Sequence, residues 1–333
     1  MVKPEKSANP RIAIIGAGMA GLTCARHLAD SDISPTVFDK GRGLGGRLAT
    51  RRLEDGAAFD HGAQYVTAEG TAFREFVTAA IGGGTAAHWS PVSQESRPAA
   101  KSRDWIVGLP RMNGLVRPLA EGLDLRLRVE VKAIERAASG WRLRTASDAT
   151  SEVFDIVAVT APAPQAATLA AAEPGLRGRL EHVSMAPCWA LMVAFETQVD
   201  RPFDVVRGEA ADIDWIARNN SKPGRAASPE CWVVHASPSW STRHLELDRE
   251  VARAKLLALL GESLEPDLPE IRHAIAHRWR YARTTAPLGA PFLSSDDETL
   301  FLGGDWCLGA RVECAFESGR AIAAALREAV DRR

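Results

Sequence analysis

A short apolar run at residues 12–15, I-A-I-I, passes straight into Gly16-x-Gly18-x-x-Gly21. Leu22, Ala25, Leu28 and Ala29 then repeat at helical spacing, and a second apolar run at residues 35–38 ends in Asp39. Short apolar runs bounded by glycine read as buried parallel strands, so the order strand, tight turn, helix, strand is set at once. In that context the glycines read as a dinucleotide-binding, Rossmann-type fingerprint. Gly16 permits the turn, Gly18 lets backbone approach a pyrophosphate, and Gly21 lets helix pack on strand. The helix start at Met19 and Ala20 supplies unpaired N–H groups and a partial positive charge for phosphate. Asp39, followed by Lys40, is placed to accept from ribose hydroxyls. This loop alone does not separate NAD from FAD.

A second glycine cluster follows in V-F-D-K-G-R-G-L-G-G-R-L-A-T-R-R, residues 37–52. Five residues after Asp39 come Gly45-Gly46-Arg47, then Leu48 and Thr50. This D-x5-G-G-R pattern resembles the large flavoprotein superfamily of amine oxidases, desaturases and hydroxylases. The resemblance implies that Gly46 runs close beneath an elongated flavin nucleotide and that Arg47 bonds a phosphate or carbonyl. A nicotinamide dehydrogenase has no use for such an extension, so FAD is the expected cofactor.

At 333 residues and 46% hydrophobic, the chain can form one large domain or two of moderate size. A formal net charge of -1 argues against nucleic-acid or polybasic membrane partners. The cysteines Cys24, Cys188, Cys231, Cys307 and Cys314 make no C-x-x-C pair and have no histidine at zinc spacing. A reduced, cytoplasmic setting and no metal site are expected. The opening residues M-V-K-P-E-K carry lysines like a signal segment, but Gly16, Gly18 and Gly21 interrupt the apolar run that follows. No apolar stretch reaches membrane-spanning length.

Further motifs stand at Asp60 to Tyr65 (D-H-G-A-Q-Y), Val107 to Met112 (V-G-L-P-R-M), Asp214 to Arg225 and Gly304 to Glu313 (G-D-W-C-L-G-A-R-V-E). Together with G-R-G-L-G-G-R they resemble the bacterial renalases, within the flavin amine-oxidase-like superfamily. The resemblance spans nearly the whole chain. It implies noncovalent FAD held by Gly16, Gly18, Met19, Ala20, Gly21, Asp39, Lys40, Gly46, Arg47, Leu48, Gln64, Val131, Thr160, Gly304, Asp305, Val312 and Glu313. A late strand ending at Gly304-Asp305 would bring Asp305 to the ribityl chain, and a helix from Val312 would aim its N-terminus at the flavin. Val131 would meet adenine through backbone, in a strand read over residues 125–134 with a hairpin partner at residues 140–144. His61 departs from the pattern, and it and Cys307 are the side chains able to carry covalent flavin.

The resemblance also implies an activity: oxidation of 2- or 6-dihydro isomers of NAD(P)H to NAD(P)+, with hydride passing to FAD and electrons to oxygen, giving hydrogen peroxide. No catalytic residue beyond the flavin is then expected, and no nucleic acid, membrane or obligate protein partner. Substrate-wall candidates are Tyr65, Thr67, Trp105, Cys188, Asn219, His235, Trp279, Tyr281 and Arg311. His235 lies in an apolar strand, where it reads either as a buried structural histidine or as a site residue. Lys222, in a Lys-Pro-Gly turn, reads as solvated. The expected fold is α/β: a Rossmann-type FAD-binding domain interleaved with an antiparallel-sheet substrate domain, in hydroxybenzoate-hydroxylase/amine-oxidase-like topology. The FAD domain is read at residues 1–72, 108–172 and 288–333, and the substrate domain at 73–107 and 173–287. The rival readings are an amine oxidase on the same fold and a non-catalytic redox sensor.

Overall fold

The first apolar run forms the strand Ile12–Ile15, fully buried, with the helix Met19–Ala29 directly after the glycine turn and the strand Thr36–Asp39 beyond it. This is a computed structural model, which describes residues 10–94, 104–146, 150–208, 212–264 and 268–332. The opening M-V-K-P-E-K, weighed above as a signal segment, lies outside the described residues. Contacts divide the chain into two compact units, one of residues 1–46, 119–184 and 286–333, the other of residues 47–118 and 185–285. The expected FAD-domain segments 47–72 and 108–118 fall in the second unit. Asp60 explains part of this, because its side chain bonds Lys222 and Arg225 there.

In the first unit a six-stranded sheet runs Leu293–Ser294, Leu300–Leu302, Ile156–Val159, Ile12–Ile15, Thr36–Asp39, Asp124–Leu127. All neighbours pair parallel except Leu293–Ser294. The helix Val312–Asp331 packs on Met19–Ala29 so closely that a Cβ on Gly319 would lie 2.3 Å from the carbonyl oxygen of Ala20. The single strand read over residues 125–134 is instead two. Arg128 sits at φ 61°, a left-handed turn that ends Asp124–Leu127 and starts Val131–Ala137 in a separate three-stranded antiparallel sheet. Arg128 N–H and Val129 N–H donate to the Gly41 and Asp39 carbonyls at 2.9 Å, which fixes the break.

The second unit is built on a sheet ordered Ile271–Ala286, Ser184–Phe195, Glu230–Ala236, Ile213–Arg218, Val205–Arg207, Ser93–Gln94. Alternation along Ser184–Phe195 sends Leu191, Val193 and Phe195 to one face, where they pack with Trp232 and with Ala252, Leu256 and Leu260 of the helix Arg249–Leu264. Met192 and Ala194 face the other way, onto Phe59 of the strand Ala58–Asp60. That contact carries the D-H-G-A-Q-Y segment onto this face of the sheet. No helix among the described residues is long and apolar enough to cross a membrane.

Candidate functional site

In the first unit the two glycine clusters touch backbone to backbone. Gly45 N–H donates to the Ala17 carbonyl at 2.8 Å, and Gly18 and Gly45 form a parallel bridge. Gly45 and Gly46 hold φ of 104° and 53°, where a side chain is strained. A Cβ on Gly21 would lie 1.9 Å from the Gly16 carbonyl oxygen, whereas one on Gly18 would meet nothing within 4 Å. Gly18 therefore borders open space, and it starts the helix Met19–Ala29 without a side-chain cap. Thr160 Oγ1 pins the loop by donating to the Ile15 and Gly16 carbonyls at 3.0 and 3.2 Å. Asp39 accepts from Ala17 N–H at 2.7 Å and from Gly41 N–H at 2.6 Å. Each carboxylate oxygen keeps a lone pair for a hydroxyl. Lys40 is exposed, and the Met19, Ala20 and Val131 side chains are buried.

At the far end, Gly304 N–H donates to Ser318 Oγ at 3.0 Å, and Asp305 is buried where its turn begins. The 20-residue helix Val312–Asp331 starts with no side-chain cap on its Arg311 N-cap. Arg311 Nη1 sits 3.3 Å from Glu313 Oε2, so the first turn is charge-balanced. Val312 is half-buried. Burial pushes the Cys307 thiol up to about 12.

The second unit holds a buried polar network centred on Asp60. Its Oδ2 accepts from Arg225 Nη2 at 2.6 Å and lies 3.4 Å from Lys222 Nζ; its Oδ1 accepts from Thr50 Oγ1 at 2.5 Å and Met112 N–H at 3.2 Å. Burial alone would raise this carboxyl, but the Lys222 and Arg225 cations override it and hold it below the usual carboxylate range. The reading of Lys222 as solvated is corrected: the residue is 1% exposed, and its ammonium donates to Gln64 Oε1 at 3.0 Å. Burial lowers it to about 8, against the pull of Asp60. Gln64 in turn approaches His235 Nε2 at 3.5 Å, and His235 Nε2 lies 3.2 Å from the His61 carbonyl. Burial drops His235 to about 4, so it is neutral near pH 7.

Aromatic side chains surround this network. Trp279 Nε1 donates to the His61 carbonyl at 2.9 Å, and its ring stacks on His61. Tyr65 stacks on Trp105 at 4.2 Å, with Trp215 5.6 Å from both. The Arg207 guanidinium lies 4.8 Å over Trp105 and donates to Tyr65 Oη at 2.9 Å. Arg47 Nη1 donates to the Ala282 carbonyl at 3.0 Å, beside the half-buried Tyr281. Leu48 is buried and Thr67 half-buried. Asn219 is 1% exposed; its amide oxygen accepts from Asp60 N–H and its nitrogen donates to the Ala58 carbonyl. Both ends of that amide thus brace the strand Ala58–Asp60. Cys188 Sγ lies within 3.8 Å of two carbonyl oxygens, and burial raises its thiol to about 12.

The second unit thereby gathers Gln64, Tyr65, Trp105, His235 and Trp279, while Arg311 belongs to the first. Arg207 was not foreseen from sequence, nor was the pairing of Asp60 with Lys222 and Arg225. Asp60 lies in one quoted motif and Lys222 and Arg225 in another, but nothing in either motif says that it meets the other.

The chain matches the model of a flavin containing amine oxidoreductase over residues 87–327, and that of an NAD(P)-binding Rossmann-like domain over residues 14–80. The chain belongs to the flavin-containing amine oxidoreductase family. It is 25% identical to the Renalase of Mus musculus over 297 residues, which cover 83% of this chain and 86% of the mouse protein. In fold it is similar to the cyclohexylamine oxidase of Brevibacterium oxydans, with a TM-score of 0.75 at 13% identity over 97% of this chain and 100% of that one. A putative protoporphyrinogen oxidase from Exiguobacterium gives 0.73 at 16% identity over 96% and 99%. The chain is therefore a renalase-like member of the flavin amine-oxidase superfamily, and its cofactor is FAD. The first unit fits that cofactor on its own evidence. Gly18 opens onto empty space at an uncapped helix start, as a pyrophosphate requires, and Asp39 keeps acceptor capacity beside it.

Proposed function

We propose that the chain oxidises 2- or 6-dihydro isomers of NAD(P)H to NAD(P)+, with dioxygen as the final acceptor and hydrogen peroxide as product. A dihydropyridine expels hydride with its own ring-nitrogen lone pair, so no base need remove a proton and the protein's task is to hold the ring. When bound, FAD supplies the two-electron acceptor and returns the electrons to dioxygen. The observation that carries this reading is the commitment of Lys222. The buried amine that could otherwise serve a substrate is locked onto Asp60 and Gln64. His235, beside it, is neutral and hydrogen-bonded to backbone, and the rings of Trp279 and His61 stack nearby. Such a group binds and orients a flat, uncharged ring. The likeness to the Renalase of Mus musculus supports the reading. Five free cysteines support a reducing, cytoplasmic setting.

Amine oxidation is the second reading, favoured by the family match and the likeness to cyclohexylamine oxidase. One experiment separates them: the flavin absorbance of the purified holoprotein is followed anaerobically while 2- or 6-dihydro NAD isomers, ordinary NADH, or a panel of amines are added. Rapid bleaching by an isomer alone, with peroxide formed once air is admitted, is the expected result. Bleaching by an amine transfers the assignment to amine oxidation. A flavin that no donor bleaches identifies a binding protein without turnover.

A further inference from the structure

The hydrogen-bond chain from Lys222 to His235 admits only one assignment of its hydrogens. An ammonium has only hydrogens to give, so the Gln64 atom 3.0 Å from Lys222 Nζ is the amide oxygen. Gln64 Nε2 then faces the carbonyls of Asp60 and of Gly62, the latter at 3.1 Å, and these acceptors take both of its hydrogens. None remains for the His235 ring 3.5 Å away. His235 Nε2 lies 3.2 Å from the His61 carbonyl, which can only accept. That carbonyl is itself held by Trp279 Nε1 at 2.9 Å. The hydrogen of a neutral His235 therefore sits on Nε2, and Nδ1 is left as a lone pair with no partner among the described residues. Lys222 opposes a second proton on the ring, and Asp60, the carboxylate beside Lys222, is engaged by Lys222 and Arg225.

We infer that His235 selects a hydrogen-bond donor on the substrate, the carboxamide of a dihydronicotinamide over the carboxylate of a dihydronicotinic acid. This rests on the dihydropyridine reading of the same site. A bare nitrogen lone pair accepts from the –NH2 of a carboxamide. Toward a carboxylate it offers no hydrogen and leaves a desolvated anion unpaired. His235 is thus a specificity-determining residue, and the His61 carbonyl, held by Trp279, fixes which ring nitrogen carries its hydrogen.

The test compares the 2- and 6-dihydro isomers of NAD with those of its deamidated, nicotinic acid counterpart on the wild-type holoprotein, by anaerobic flavin bleaching. The amide is expected to lead by on the order of 100-fold in kcat/KM, as for a site built to bond a substrate N–H. His235→Gln can turn either end of its amide to the ligand, so the lead should collapse to roughly threefold or less. Nitrogen-15 spectra of histidine-labelled wild type should show His235 with hydrogen on Nε2 only. Equal rates on amide and acid, or hydrogen on Nδ1 in the wild type, overturn the inference while isomer oxidation still stands. Failure of the wild type to oxidise either dinucleotide removes both. Should His235→Gln not fold, the wild-type rate ratio and spectra decide the question unaided.

Discussion

At the scale of single residues, two glycines of one motif make opposite demands. Gly18→Ala places a methyl in open space at an ordinary φ of -84°, so the apoprotein should fold with its stability within about 1 kcal/mol of wild type. The same methyl stands where backbone must approach a pyrophosphate, so FAD affinity should fall by about tenfold or more. Gly21→Ala drives its methyl into the Gly16 carbonyl and should lose fold and flavin together. Far-ultraviolet circular dichroism and flavin fluorescence titration on both variants separate the cases. These roles were legible because each glycine acts on its near neighbours. Lys222 was not legible, since a Lys-Pro-Gly turn looks solvated until Asp60, distant in sequence, is seen beside it. Burial of a charge depends on its partner, and a sequence does not pair them.

Among the elements, the helices Met19–Ala29 and Val312–Asp331 show how far pattern reading reaches. The strands Ile12–Ile15 and Thr36–Asp39 fell on the apolar runs read at residues 12–15 and 35–38, and the two helices were plain, one from Leu22, Ala25 and Leu28, the other from the resemblance. Their mutual approach was not, because it depends on Gly319 presenting no side chain to the Ala20 carbonyl. Gly319→Ala should push the helices apart and destabilise the first unit by about 1–3 kcal/mol. Urea unfolding of the apoprotein measures this directly, and an unchanged midpoint would refute the contact. The strand read over residues 125–134 failed for a related reason. Apolar alternation runs across Arg128 without interruption, and only its left-handed backbone, held by carbonyls of the neighbouring segment, divides the strand. Nothing about an arginine announces that conformation.

For the whole molecule, the buried imidazoles set an acid limit. His235 and His277 are lowered by burial from 6.5 to about 4 in the fold. Between those values the unfolded chain binds more protons than the folded one, so stability rises with pH across this window. The contribution is complete above about pH 6.5 and is lost as the pH falls toward 4, by about 1–3 kcal/mol per imidazole. Urea midpoints at pH 7.5 and pH 5 should differ accordingly, and His277→Gln should remove part of the difference; a flat profile would show that these imidazoles are not held neutral. The order in which the chain visits its two units carries a consequence for synthesis. The second unit has all its residues once position 285 is made, but the first lacks the helix Val312–Asp331, which seats against the helix after the glycine loop. On the ribosome the substrate-side unit can therefore close while the nucleotide loop still waits for its last partner. Flavin capture then follows synthesis of the helix Val312–Asp331, so the nucleotide site is completed after the substrate-side sheet.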